Sequence, residues 1–274
     1  DNLFWLGRYI ERTEDLLRLV RAYNSRLDEA ASEPLLATIR AQLSHYGVDA
    51  AEPFPSGVRN ALASAVYSAS QIRDRFSVDG WAALKDMEKS MARIARTAQA
   101  GSDAALAMSV MLRKIAGFSG LVHENMYRAA GWQFLTIGRA LERAVMISDL
   151  LVAVADPKSP PGGLDLAIEV GDSIMVHRQR YDLDTSRNSA IDLLALDEIN
   201  PRSLRFQIDT IAHRVEDLCR PQPDIDRSTF RGEVTALQRA LAGHTVYSLD
   251  SAALLACRRR LLDLSGALNA AFMN

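Results

Sequence analysis

Two cysteines, Cys219 and Cys257, are all that the 274 residues contain. That is too few for a disulfide framework and too sparse for a Cys-rich zinc site, and it fits a reducing cytoplasm. No stretch alternates apolar and polar residues for long, and Val/Ile/Thr-rich runs between turns are missing, so no sheet is expected. Charge of one sign is also missing. A net charge of −2 provides no global field for nucleic acid or an anionic membrane surface. The densest basic cluster, Arg258-Arg259-Arg260, reads as a solvated helix face. No basic-then-apolar leader precedes Leu3, and the longest apolar run, Ala104 to Val122, is interrupted by Arg113 and Lys114. The expectation is a cytoplasmic chain with that run as a buried bundle helix, because lipid would penalise the two charges.

Familiar chemistry is scarce too. A di-metal carboxylate bundle needs two Glu-x-x-His pairs, and none occurs; His213 with Glu216 is the nearest reversed form and reads as structural. Gly162-Gly163 is not followed by the lysine and hydroxyl residue of a nucleotide loop. Neither a metal nor another cofactor is expected, and any ATP chemistry would belong to a partner. Each cysteine lacks a readable His-plus-acid neighbourhood and reads as a core thiol.

What is present is helical periodicity. Leu3, Leu6, Ile10, Thr13, Leu17 and Val20 recur at steps of three and four, predicting a helix from about Asn2 to Ala31. Ser32 and Pro34 open a second, ending near Tyr46-Gly47. Further helices are predicted at about Val58 to Phe76, Val78 to Ala98 with Ser77 as its cap, Gly101 to the Tyr127 region, and Gly131 to Ala155. After the Asp156–Gly163 loop come Leu164 to Tyr181, Ser189 to Leu196, Arg202 to Leu218, Thr229 to Leu241 and Leu249 to Phe272. The expected fold is all-α, a large bundle of about ten helices in one domain, with a soft division at residues 156–163.

Gly7-Arg8-Tyr9-Ile10-Glu11-Arg12 returns as Gly138-Arg139-Ala140-Leu141-Glu142-Arg143, an offset of 131 residues. Both copies lie in apolar helical stretches, so burial would take the charges out of water, and an unpaired buried ion costs several kcal/mol. Two arrangements satisfy this: the segments face each other and exchange ion pairs, or they line a polar cavity that binds something. Lining up the copies keeps the apolar face, Leu6 with Ile137 and Ile10 with Leu141, which points to an internal duplication with the two helices antiparallel at the centre. Glu11 would then meet Arg143, and Glu142 would meet Arg12. Arg8 and Arg139, three residues before each Glu, offer a local partner on the same face. Gly7 and Gly138, poor helix formers, predict close backbone approach by a neighbouring helix.

Arginines are the remaining clue. Arg12, Arg128, Arg143, Arg178, Arg180 and Arg202, with Tyr181, offer fork-shaped donors suited to carboxylates, such as an acidic peptide tail. Asn200-Pro201-Arg202-Ser203 places either a helix N-terminus suited to an anion beside Arg202, or simply an Asn200 cap. Glu11 and Glu142 form a possible acid pair, but an adjacent Arg would hold each ionised, which disfavours a general-acid role.

Leu3-Phe4-Trp5-Leu6-Gly7-Arg8-Tyr9-Ile10-Glu11-Arg12-Thr13-Glu14, Glu124-Asn125-Met126-Tyr127-Arg128, Trp132-Gln133-Phe134 with Glu142-Arg143, and Asn200-Pro201-Arg202-Ser203-Leu204-Arg205-Phe206 together resemble the bacterial alpha-E family. The resemblance spans essentially the whole chain, with four motifs in order. It implies an all-helical domain, associated with circularly permuted ATP-grasp ligases and transglutaminase-like peptidases, and a role in making or modifying peptides. Glu11, Arg12, Glu142, Arg143 and Arg202 carry over as its shared polar set. One departure is Ala65-Val66-Tyr67-Ser68-Ala69-Ser70 ahead of Arg73-Asp74, where the family tends to show an Arg-Glu-Asn-rich helix. Two functions follow as expectations: a non-catalytic accessory protein that binds a peptide or carboxylate beside such a ligase or transglutaminase-like partner, or an enzyme of amide-bond metabolism centred on Glu11 and Glu142.

Overall fold

The computed structural model describes residues 1–29, 31–75, 77–181, 184–220 and 227–272. Among them are twelve α-helices and no strand: α1 Asn2–Asp28, α2 Glu33–His45, α3 Ser56–Ser70, α4 Val78–Ile94, α5 Ser102–Asn125, α6 Ala130–Val154, α7 Gly163–Val170, α8 Ile174–Arg180, α9 Arg187–Ile191, α10 Leu204–Cys219, α11 Ser228–Ala242 and α12 Ser251–Phe272. The all-α expectation holds. Phe76, the predicted end of the third helix, lies outside the described residues; α3 stops at Ser70, and Arg73–Arg75 adds a 3-10 turn. The chain forms two compact units, Asn2–Arg139 and Ala140–Asn274, with Asp1 grouped in the latter; the division falls within α6.

In the first unit α1 is the hub, packing against α2, α3 and α5. Phe4, Leu6, Ile10, Leu16, Leu17 and Val20 are all at most 1% exposed. Polar residues among them are satisfied along the helix itself: Thr13 Oγ1 donates to the Tyr9 carbonyl and Asn24 Nδ2 to that of Val20. The end of α1 also fastens the start of α5. Asp28 accepts the Ser102 N–H at 2.6 Å and Asn24 Oδ1 accepts that of Gly101 at 2.9 Å, so a carboxylate sits where the helix N-terminus favours it. Gly101 is required there, because its φ is +87° and an added Cβ would lie 2.4 Å from the Asp28 carboxylate.

Alone among the described helices, α5 is long and apolar enough to cross a membrane. One face, including Met108, Met111 and Ile115, is buried, and the helix packs against α1 and α4. Leu106 at 62% exposure and the exposed Arg113 mark the other face, so the expected bundle helix is buried on one side, with the charge on the open face. Ser77 caps α4 as predicted, its Oγ accepting the Gly80 N–H at 3.0 Å.

The second unit corrects three predicted helices. Leu164–Tyr181 breaks into α7 and α8, because Asp172 takes a left-handed φ of 50° and an added Cβ on Gly171 would lie 2.6 Å from Leu194. Ser189–Leu196 becomes α9 followed by a π-helical turn, Asp192–Leu196. The helix predicted at Arg202 starts at Leu204 instead, because Ser203 is its cap: the Ser203 Oγ accepts the Phe206 N–H at 3.0 Å. Arg187, unremarked in the sequence, ties three segments by donating to the carbonyls of Ala155, Val246 and Leu249. Arg258 is no solvated residue either; it pairs with Asp149 and is half-buried, while Arg259 and Arg260 stay exposed.

Candidate functional site

The two repeated glycines mark a helix crossing inside the first unit. A Cβ on Gly7 would fall 2.2 Å from the Leu135 carbonyl oxygen, and one on Gly138 would fall 2.2 Å from that of Phe4. The contact is reciprocal: Gly7 also faces the Arg139 backbone nitrogen, and Gly138 that of Arg8. Each helix therefore presents its glycine to the turn preceding the other's glycine, and no side chain fits between them. The predicted close approach is met at both positions.

Close approach sets the neighbouring charges. Glu11 is fully buried, and Arg139 reaches across to it, with Nε 3.0 Å and one terminal nitrogen 2.9 Å from Oε2. The same guanidinium lies 3.3 Å from Glu14, whose other oxygen accepts from Arg18 at 3.0 Å. Two acids and two guanidinium groups balance inside the helix pair, so the desolvated carboxylates are compensated. Arg8 is buried too, its guanidinium 5.9 Å from the Phe4 ring and 5.8 Å from the Trp5 ring. Arg12 is half-buried over Tyr9. Glu14 and Arg18 were missed as members of this group, although an acid four residues before an arginine is a readable helix pair.

Glu142 is buried at 1% exposure. Arg143 extends within the second unit to the Pro201 carbonyl at 3.1 Å, so two sequence motifs meet there. Gln207 donates to the same oxygen at 2.6 Å. The Asn200–Ser203 segment is held from within: the Arg202 N–H donates to Asn200 Oδ1 at 3.0 Å, while Asn200 Nδ2 donates to the Leu193 carbonyl at 2.8 Å and to Ser173 Oγ at 3.2 Å. Asn200 thus braces a loop rather than capping a helix. Glu124 and Arg128 stand apart and exposed, Arg128 stacked 4.1 Å from the Trp132 ring.

Asp197 joins this loop to a second cluster. One of its oxygens accepts the N–H groups of Ile199 and Asn200, both at 2.8 Å, and the other accepts from Arg180. Burial pushes the Asp197 carboxyl up, but the two backbone donors and the Arg180 guanidinium outweigh it and hold it below the usual carboxylate range. Arg180 also lies 3.6 Å from Asp192, to which the Tyr181 hydroxyl donates. Burial first, and then the bond to Asp192, pushes Tyr181 up to about 12, so it is a neutral donor at pH 7.

Arg180, Tyr181, Asp184, Asn188, Ser189 and Asp192 line a cavity of about 890 Å³. Of the predicted set, Tyr181 alone lines it, together with Arg180 from the wider arginine group. Beneath the lining, His177 is 3% exposed, its Nε2 2.9 Å from Ser189 Oγ and its ring 5.1 Å from that of Tyr181. Neither His177 nor Ser189 was singled out in the sequence: they are twelve apart on two short helices, and no spacing links them. A separate groove of about 570 Å³ in the first unit carries Trp5, Tyr9 and Tyr67.

The remaining candidates are structural. Burial pushes the Cys257 thiol up to about 11 and raises that of Cys219, so neither is an activated nucleophile. His213 Nδ1 lies 2.8 Å from the Asp209 carbonyl, and Glu216 is gripped bidentately by Arg231 at 2.8 Å. Among the described residues no group of three or more His, Cys, Asp or Glu side chains is placed to hold a metal.

These features define an all-helical domain in which the glutamate of each repeated Glu-Arg segment is buried. The chain belongs to the Alpha-E family, a predicted alpha-helical domain with a conserved ER motif, which it matches over residues 1–273. Relatives described as uncharacterized proteins, from Mycobacterium tuberculosis and Mycobacterium bovis, are each 25% identical over 278 residues, an alignment taking in 84% of this chain and 31% of theirs. The chain thus spans about a third of the length of these relatives. No solved structure gives a significant match.

Proposed function

We propose that this Alpha-E chain is a peptide-binding helical module that works beside a peptide-bond-forming or amide-transferring partner, an ATP-grasp ligase or a transglutaminase-like protein. The observation that carries the reading is the polar cavity of about 890 Å³ around Arg180, Tyr181 and Asp192. Its size suits a short peptide segment, and its lining offers both kinds of polar partner a peptide needs. Arg180 is shared with Asp192 and Asp197, while Asp184 and Asp192 give the wall a surplus of carboxylate. A peptide with a free amine as well as carbonyl groups matches that mixture better than a purely acidic tail. The length of the curated relatives supports a module that acts next to other chain segments.

On this reading the Glu11, Glu14, Arg18 and Arg139 network is the scaffold. The offset that relates the two motifs also relates the contacts of Gly7 and Gly138, which supports α1 and α6 as copies of one helical unit. The test is calorimetric titration with dialanine and with a glutamate-rich tetrapeptide. Dialanine is expected to bind, and Arg180→Ala or Asp192→Asn to weaken it at least about tenfold, the loss of one charge-assisted hydrogen bond. Absence of dialanine binding contradicts the proposal, and preference for the glutamate-rich peptide contradicts the reading of the wall as carboxylate-rich.

A further inference from the structure

Ser189 carries more than its position in α9 requires. Ser186 and Ser189 form a capping box, each side chain bonding the other's backbone N–H at 3.0 and 3.1 Å. Glu or Gln usually occupies the second position of that motif. Serine's shorter arm instead holds Oγ close to the backbone and on the wall of the cavity, where its one proton can go either to the Ser186 carbonyl at 3.0 Å or to His177 Nε2 at 2.9 Å. The ring of Tyr181 packs on that of His177, and the Tyr181 hydroxyl is anchored on Asp192, so the imidazole is held from the cavity side. A hydroxyl at hydrogen-bond distance from a buried imidazole, beside a polar cavity, has the geometry of a nucleophile and its general base.

We propose that Ser189 is an acyl-accepting nucleophile with His177 as its base, acting on an amino-acyl ester or amide held in this cavity. The inference rests on the cavity being the peptide site and adds chemistry to it. Ser189 Oγ bonds to the carbonyl carbon while its proton passes to His177 Nε2. The C–O or C–N bond then breaks, and the alcohol or amine leaves with that proton. Water next attacks the acyl-serine, giving one proton to His177; the acid departs and Ser189 regains a proton from the imidazole. The surplus carboxylate of Asp184 and Asp192 fits a free amine on the acyl group.

The experiment treats the protein with an alkyl fluorophosphonate and reads the adduct by intact-mass and peptide mass spectrometry. One adduct is expected, on Ser189. His177→Gln, which keeps a polar side chain near Oγ but removes the base, is expected to slow labelling by at least about a hundredfold, with its thermal unfolding midpoint checked alongside. No adduct on Ser189, or labelling at the same rate in a folded His177→Gln protein, overturns the nucleophile. Dialanine binding in the same preparation separates the two claims: binding without labelling sinks the chemistry and leaves the peptide site, while absence of both sinks the two together.

Discussion

At the residue scale, charge compensation in dry surroundings governs the behaviour of this chain. Glu11 is fully buried, and Arg139 at 23% side-chain exposure bridges it to Glu14. Removing one partner of a buried pair strands the other, so Arg139→Ala is expected to cost about 3–5 kcal/mol in urea unfolding. Asp197 gives the complementary test in acid. Its folded-state pKa lies below the unfolded value, so its stabilisation is complete above about pH 4 and is lost as pH falls through the folded value. Thermal melts between pH 2 and 7 should show that acid limb, and Asp197→Asn should lower the midpoint at pH 7 and flatten it. The repeat and the need to pair buried ions singled out Glu11 and Arg139 in the sequence, but with other partners, Arg143 or Arg8 for Glu11 and Glu142 for Arg139; the Glu11–Arg139 pair is visible only in the structure. The sequence did not announce Asp197, Ser189 or His177, because their contacts arise from loops and short helices that no periodicity specifies.

At the element scale, glycine tells a tight crossing from an ordinary helix interior. Gly7→Ala forces a Cβ to 2.2 Å from a carbonyl oxygen, and the helices must separate; a loss of at least about 1–3 kcal/mol is expected. Gly117 lies exposed in α5 with nothing within 4 Å of an added Cβ, so Gly117→Ala should gain about 0.5–1 kcal/mol through helix propensity alone. Paired chemical denaturation curves check both signs. Long helices were legible: α1, α4 and α5 lie close to their predicted places because apolar spacing over many turns leaves little choice. The region from Gly163 to Leu196 was not. There, short helices are ended by tertiary demands, such as Leu194 against Gly171, and a continuous apolar pattern conceals the breaks.

At the scale of the whole molecule, the buried Glu11–Arg139 network and the polar cavity fall in different compact units of the chain. On the proposed function, the glycine crossing that pairs Glu11 with Arg139 in the first unit is scaffold, and the cavity beside α8 and α9 in the second takes the peptide. The motif for which the family is described is thus read as scaffold, and the proposed site rests on residues outside it. The most direct measurement is the pattern of backbone amide shifts in isotope-labelled protein on adding dialanine. Shifts concentrated at Arg180, Tyr181, Asn188 and Asp192 are predicted, whereas shifts centred on Glu11, Glu14 and Arg139 would contradict the account.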